Sequence, residues 1–218
     1  MKISIHAGHA PSGGIGCGAT GYCDESRIAR CIVEGIVNEF TLYDVEFADF
    51  TVNKSMNQKE VLKNLESNIN AYGADFNLSI HLNSFADTDS NGCECIVHPN
   101  TNEENKRFAK LICDTISSIY NLNNRGLKTN KNLYILNKTE KPMIIVESGF
   151  CTNYNDSNIL MKYAESIGRT IADTYINMIK AEKKKLYTVK VYNVDYETAK
   201  KLTDIAYDAD AVYQRIEV

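Results

Sequence analysis

The sequence lacks the long apolar runs and the surplus of basic residues that mark several large classes of protein. No apolar run in its 218 residues is long enough to cross a bilayer, so we expect no membrane span. Its 24 Lys and Arg residues stand against 28 Asp and Glu residues and give a net charge of −4. This balance argues against nucleic acid and against an anionic lipid surface as the main partner.

The amino terminus also lacks the basic segment, apolar stretch and cleavage site of a secretory signal. We therefore expect the protein to be made in the cytoplasm without a signal peptide. Its seven cysteines are an odd number, which without export argues against a disulfide framework. Cys93-x-Cys95 and Cys17-x5-Cys23 do not have the C-x2-C spacing of a structural zinc ribbon.

The first 30 residues predict a strand, a glycine-rich loop and the start of a helix. Residues 2–6 alternate polar and apolar side chains, and Asp24 is placed to cap a helix with an apolar stripe. His9 follows the strand, and Glu25 falls in the first turn of the helix. Because open α/β sheets place their sites beyond the carboxyl ends of the strands, we expect His9 and Glu25 to converge there. A histidine and a glutamate in one cleft are usual ligands of catalytic zinc.

The rest of the first 180 residues alternates between strand and helix patterns, which is typical of an α/β fold. The predicted strands are 44–50, 76–83, 93–98, 133–136 and 143–150. The predicted helices are 57–72, 102–120 and 156–179, with residues 123–128 as an exposed link.

Two further residues lie near the ends of predicted strands. His81 is close to the carboxyl end of the strand 76–83. Glu147 ends an unbroken apolar run that is typical of a strand covered on both faces. Since a lone buried carboxylate is costly, Glu147 is expected to have either a cation beside it or a chemical role.

Taken together, these residues resemble the zinc-dependent N-acetylmuramoyl-L-alanine amidases of the amidase type 3 family. The similarity covers about residues 1–180 and keeps the family's order of motifs. The motifs are Gly8-His9, Glu25 after the glycine-rich loop, Ser79-Ile80-His81-Leu82-Asn83, Gly92-x-Glu94, Asn124-Arg125-Gly126-Leu127-Lys128 and Val146-Glu147-Ser148-Gly149-Phe150-x-x-Asn153. Each motif is weak alone, but the combination is specific.

The resemblance implies that His9, Glu25 and His81 hold a zinc ion and that Glu147 is the catalytic acid/base. It also implies a mixed six-stranded sheet flanked by helices, and peptidoglycan as the substrate. The reaction would be hydrolysis of the amide between N-acetylmuramic acid and L-alanine, as in a phage endolysin or an autolysin that reaches the wall after release. One departure is His6-Ala7, which stands where the family usually has Asp-Pro; whether His6 supports His9 stays open.

Several alternatives remain at this point. The unit could be a peptidoglycan-binding module without catalysis, or a zinc peptidase that cuts within the stem peptide. Glu147 could be a further zinc ligand, with His98 or another group as the base. Arg125 and Lys128 could contact carboxylates of the stem peptide, or belong to a solvated loop.

Residues 186–218 form a separate segment with a predicted β-α-β pattern. A unit of this size is too small to bury a core alone, so we expect it to bind the wall or to associate with a second copy. The predicted organisation is a zinc amidase domain at 1–180 and this small carboxyl-terminal unit, through which a homodimer could form.

Overall fold

The computed structural model describes residues 1–183 and Thr198. Strands and helices alternate along residues 3–183, except that two strands follow one another within 76–97. The elements are β1 Ile3–Ala7, α1 Glu25–Leu42, β2 Phe47–Asp49, α2 Gln58–Tyr72, β3 Phe76–Asn83, β4 Cys93–Val97, α3 Glu103–Tyr120, β5 Asn124–Thr129, α4 Tyr134–Lys138, β6 Met143–Phe150 and α5 Tyr154–Lys183.

The strands form one mixed sheet of six, in the order β2-β1-β3-β6-β4-β5. Strands β1, β2, β3 and β6 are parallel, whereas β4 runs antiparallel to β6 and parallel to β5. The predicted mixed six-stranded sheet is therefore confirmed. Because of these directions, the carboxyl ends of β1, β3 and β6 meet the amino ends of β4 and β5 at one edge, here called the site edge.

The helices begin where the sequence supplies a cap. Asp24 is the N-cap of α1 and accepts a hydrogen bond from the backbone N–H of Arg27. Asn57 and Glu60 form a reciprocal capping box at the start of α2. Gly73 ends α2 in the left-handed conformation, with φ of 63°, which glycine adopts without steric cost.

Two of the predicted elements, both between α3 and β6, are wrong. Residues 133–136 were expected as a strand, but this short apolar run lies at helix α4, where Ile135 and Leu136 pack together into the core. A run of four apolar residues cannot distinguish helix from strand by periodicity. Residues 124–129, expected within an exposed link, form the edge strand β5. The residues of β5 are exposed or half-buried, so its sequence lacks the alternation of apolar and polar side chains that predicts a strand.

The sheet separates two buried layers. On one face, apolar side chains of α2 and α4 pack against those of β6 and of neighbouring loops. This cluster comprises Ala10, Val52, Val61, Leu65, Ile69, Ile135, Leu136, Met143 and Ile145. On the other face, Phe40, Phe76, Phe108 and Tyr175 contact one another through their rings. The helical spacing of apolar residues within 102–120 predicts that Leu111 and Ile119 face inward, but both are exposed.

The described part of the chain contains no helix that is long and apolar enough to cross a membrane. Residues 1–178 form one compact unit, and residues 179–218 are a second one. The predicted β-α-β segment at 186–218 lies outside the described residues, apart from Thr198.

Candidate metal centre and active site

The structure brings His9, Glu25 and His81 together at the site edge. One ligand atom from each of the three residues lies within 4.8 Å of the others. Oε1 of Glu25 is 2.9 Å from Nδ1 of His81 and 3.3 Å from Nε2 of His9. Ligands of a tetrahedral zinc with bonds of about 2.1 Å lie about 3.4 Å apart. The two distances to Oε1 of Glu25 are therefore close to the spacing of ligands in a zinc site.

Glu25 is held in place by backbone donors from two directions. Its Oε2 accepts a hydrogen bond from the N–H of Ala19 at 2.8 Å, and its Oε1 accepts one from the N–H of Leu82 at 3.2 Å. Burial alone would raise the pKa of Glu25, but its contacts with His81 and His9 outweigh burial and hold that pKa well below its ordinary value. The carboxylate is thus fixed and ionised, as a metal ligand must be.

His9 is oriented by residues that the sequence did not single out. Its Nδ1 lies 3.3 Å from Oε1 of Gln58 on α2, which leaves Nε2 directed toward Glu25. The guanidinium of Arg30 donates to the carbonyls of His9, at 2.8 Å, and Val52, at 2.7 Å. Partners of this kind fix the ring and the tautomer of a ligating histidine.

Gly8 makes room for the ring of His81. A Cβ atom at Gly8 would lie 1.8 Å from Nε2 of His81. We expect Gly8→Ala to displace this ring and to lower zinc affinity at least about 10-fold, the loss typical when ligand orientation is disturbed. Competition with a chromophoric chelator measures the affinity.

The control for this substitution is Gly14→Ala in the same loop. Its added Cβ would meet the hydroxyl of Ser55 at 2.6 Å, which rotates away more easily than a packed ring. Equal zinc affinities in Gly8→Ala and Gly14→Ala would show that the space at Gly8 is not needed.

Glu147 lies beside the three-residue cluster. It is in register with His81 on β3 and with Glu94 on β4, so the three side chains occupy neighbouring strands on one face, about 4.8 Å apart. Its Oε2 is buried and has no hydrogen-bond partner within the described residues. Burial raises the pKa of Glu147 to about 7, although the charge of His81 opposes part of the shift. A carboxyl with such a pKa can accept and release a proton near neutral pH.

Glu94 and Arg125 form a charged pair on the far side of Glu147. Oε2 of Glu94 accepts from Nε of Arg125 at 2.8 Å, and Oε1 accepts from Nδ2 of Asn83 at 3.0 Å. The guanidinium of Arg125 lies over the ring of Phe150, 5.0 Å from its centroid. The negative charge of Glu94 contributes to the raised pKa of Glu147.

The raised pKa of Glu147 predicts a pH-dependent stability difference between the metal-free wild type and metal-free Glu147→Gln. Between pH 4.5 and 7 the unfolded chain loses the Glu147 proton while the folded protein keeps it. The wild type is therefore destabilised relative to the variant as pH rises, by up to about 1.4 kcal/mol per pH unit.

Urea unfolding of chelator-treated proteins at pH 5 and pH 8 measures this difference. Glu34→Gln, at an exposed glutamate of α1, is the control for the loss of one carboxylate. A Glu147→Gln difference that is the same at both pH values would contradict the raised pKa.

The other two histidines take no part in the cluster. His98 follows β4, which runs away from the site edge, and lines a separate cavity with Pro142 and Met143. It is therefore not placed to act as the base, contrary to the alternative considered from the sequence. His6 is fully buried, and burial together with the charge of His81 lowers its pKa to about 3. Neither of its ring nitrogens has a hydrogen-bond partner in the described range 1–183, so it does not orient His9 by a hydrogen bond.

The fold and the site define an α/β protein with a His-Glu-His cluster and an adjacent half-buried glutamate at the site edge. The sequence model of the N-acetylmuramoyl-L-alanine amidase family, Amidase_3, matches residues 3–181. The chain therefore belongs to this family.

Curated proteins of Clostridium and Bacillus are similar to the chain. An uncharacterized 38.4 kDa protein of Clostridium perfringens is 33% identical over 185 residues, which are 79% of this chain and 50% of that protein. The chain thus spans half the length of this relative. The sporulation-specific N-acetylmuramoyl-L-alanine amidase of Bacillus subtilis is 26% identical over 196 residues, covering 88% of this chain and 74% of the relative.

Solved structures share the fold. The catalytic domain of the CD27L endolysin, which targets Clostridia difficile, superposes with a TM-score of 0.71 at 26% identity, covering 81% of this chain and 97% of that domain. The CwlD amidase of Clostridioides difficile, solved with the GerS lipoprotein, has a TM-score of 0.74 at 23% identity and covers 83% of this chain and 98% of its own.

Proposed function

We propose that this protein is a zinc-dependent N-acetylmuramoyl-L-alanine amidase that hydrolyses the amide between N-acetylmuramic acid and L-alanine in peptidoglycan. The observation that carries the proposal is the His9-Glu25-His81 cluster, with ligand atoms within 4.8 Å, beside the buried and unpartnered oxygen of Glu147. Family membership supplies the substrate and the bond. The geometry of the site supports the roles that the resemblance implies for individual side chains.

His9, Glu25 and His81 would hold the zinc ion. When bound, Zn²⁺ supplies Lewis acidity, which polarises a carbonyl and activates a water for attack at neutral pH. Three protein ligands are the number found in catalytic zinc sites, whereas structural sites are closed by four. The donor set of two imidazoles and one carboxylate is also one that zinc accepts.

Glu147 acts as the proton carrier in this mechanism. It takes a proton from the attacking water and passes it to the nitrogen of the leaving L-alanine, so that the amide bond breaks as the free amine forms. Burial raises its pKa to about 7 in the metal-free protein, and the charge of a bound zinc ion would lower it. Glu94, held by Arg125 and Asn83, keeps a fixed negative charge beside Glu147 and so favours the form that carries the proton.

A lytic role is the second part of the proposal. One structural relative is the catalytic domain of an endolysin, at 26% identity. We therefore propose that the protein degrades bacterial cell walls, as an endolysin or an autolysin. Self-association through residues 186–218 stays a prediction, as does its action on the wall after release from the cell.

Mass spectrometry of purified peptidoglycan treated with the protein tests the reaction. An amidase releases intact stem peptides that begin with a free L-alanine amine and leaves a peptide-free glycan. Shortened stems that remain on the sugar would instead indicate a peptidase, and unchanged material would indicate a binding module. The loss of turbidity of whole walls in parallel tests the lytic role.

A further inference from the structure

Three aromatic side chains are exposed on the loops beside the candidate active site. Tyr22 is 56% exposed, and Phe85 and Tyr154 are each 61% exposed. Thr88 and Thr152 line a shallow depression of about 250 Å³ together with Gly21 and Tyr22. We call the surface formed by Tyr22, Phe85, Thr88, Thr152 and Tyr154 the aromatic rim. Exposed aromatic side chains gathered in one place indicate a binding surface.

The loops that form the rim are fixed to one another. The N–H of Tyr22 donates to the carbonyl of Cys151 at 2.8 Å, and the N–H of Phe85 donates to Oγ1 of Thr152 at 3.1 Å. The side-chain amide of Asn153 donates to the carbonyl of Thr88 at 2.8 Å. The rings of Tyr22 and Tyr154 meet edge to face with centroids 5.5 Å apart. The rim is therefore a preformed surface.

The rim is joined directly to the residues of the active site. Tyr22 precedes Glu25 by three residues, which limits their Cα separation to about 11 Å. Phe85 follows His81 by four residues, which limits their separation to about 14 Å. A substrate held at the cluster is thus within reach of both rings.

The two sides of the active site differ in chemistry. On the side of β4 and β5 the surface carries the Glu94–Arg125 pair. The rim instead offers aromatic faces and threonine hydroxyls. The carboxylate of Asp87, which lies in the loop between Phe85 and Thr88, accepts hydrogen bonds from the N–H of Asp89 and the hydroxyl of Ser90. Aromatic faces with nearby hydroxyls suit a sugar ring, whose C–H groups pack on an aromatic ring while its hydroxyl and acetamido groups need hydrogen-bond partners. A charged stem peptide suits Arg125 better.

We propose that the aromatic rim binds the glycan strand of peptidoglycan. The proposal deepens the proposed function, since it assigns the sugar side of the scissile amide to the rim and the peptide side to the surface near Arg125. The ligand is a chain of N-acetylated amino sugars. Its rings stack on Tyr22 and Phe85, and Tyr154 supports the ring of Tyr22 from the side.

Binding of peptide-free glycan strands tests the proposal. Isothermal titration is carried out with full-length Glu147→Gln protein, so that hydrolysis does not interfere. Adding Tyr22→Ala and Phe85→Ala to this protein is expected to weaken binding at least about 10-fold, since two stacked contacts are lost. Tyr22→Phe keeps the ring and is expected to change the affinity less than about 2-fold.

The matched control is Tyr43→Ala, which also removes an exposed tyrosine. Tyr43 is 52% exposed and follows the far end of α1, an 18-residue helix that places it about 27 Å from Glu25. Zinc content and circular dichroism of each variant establish that the loss is not one of folding. If the Tyr22→Ala/Phe85→Ala protein misfolds, Tyr154→Ala is used in its place. Tyr154 is the first residue of α5, and its replacement is also expected to weaken glycan binding.

Equal affinity of the rim variants and the parent protein for glycan strands would overturn the proposal. So would a concentration-dependent dimer that the rim substitutions abolish, because the rim would then contact a second copy. The result is independent of the reaction. If the rim variants lose glycan binding and the wild-type protein cleaves no amide, this inference is sustained and the proposed function is rejected. If the wild-type protein cleaves the amide and the rim variants bind glycan unchanged, the reverse holds.

Discussion

Replacing Glu147 with glutamine is expected to lower the rate of amide hydrolysis by about 10²–10⁴-fold, the range contributed by a general acid or base. The amide of glutamine keeps the size of the side chain but cannot carry a proton between water and the leaving amine. Because Glu147 lies outside the group of three ligand atoms, zinc content is expected to stay at about one ion per chain. Release of stem peptides, followed by mass spectrometry, measures the rate, and elemental analysis measures the metal.

Glu34→Gln provides the matched control, because it also removes one carboxylate, from an exposed residue of α1. A Glu147→Gln protein with the turnover of the wild type would remove Glu147 from the mechanism. Loss of zinc together with activity would instead indicate that Glu147 is a ligand.

Replacing His81 with alanine is expected to abolish zinc binding and, with it, hydrolysis. His81 supplies one of three ligand atoms and contacts Oε1 of Glu25 at 2.9 Å, so its removal leaves only two ligands. Since loss of a supporting contact alone costs 10–100-fold in metal affinity, loss of the ligand itself is expected to cost at least about 100-fold. Elemental analysis after gel filtration measures the metal that remains.

His98→Ala is the control for this experiment, since it removes a histidine that lines a cavity with the first residues of β6, away from the cluster. It is expected to retain both zinc and activity. Equal zinc contents in His81→Ala and the wild type would show that the ligand assignment is wrong. Loss of activity in His98→Ala with zinc retained would restore His98 as a candidate base.

Local sequence signals predicted the elements that contain the site with good accuracy. The strand 76–83 has the bounds expected, and Asp24 caps α1 as expected, because strand alternation and side-chain capping are short-range effects. The same reasoning failed at 124–129 and 133–136. There the packing partners decide the conformation: β5 depends on β4 for its hydrogen bonds, and α4 depends on α2 for its buried contacts.

The residues of the candidate site were also predicted only in part from the sequence. His9, His81 and Glu147 were identified from their positions near strand ends, and Glu25 from its position in the first turn of a helix. The order of motifs supported all four residues. Gln58 and Arg30, which orient the loop of His9, gave no comparable signal. Both are polar residues on amphipathic helices, and such residues are most often in solvent. Their roles follow from the way α1 and α2 pack against that loop.

The sequence by itself determined the order of the elements and which residues could serve as ligands, because capping, periodicity and residue chemistry are local properties. Only the tertiary structure decided that β4 runs antiparallel to β6, which brings Glu94 opposite Glu147 and takes His98 to the other edge. The direction of a strand depends on its neighbours and on the connections between them, and neither is encoded within the strand. The pKa of Glu147 has the same origin, since it depends on burial and on charges contributed by three other elements.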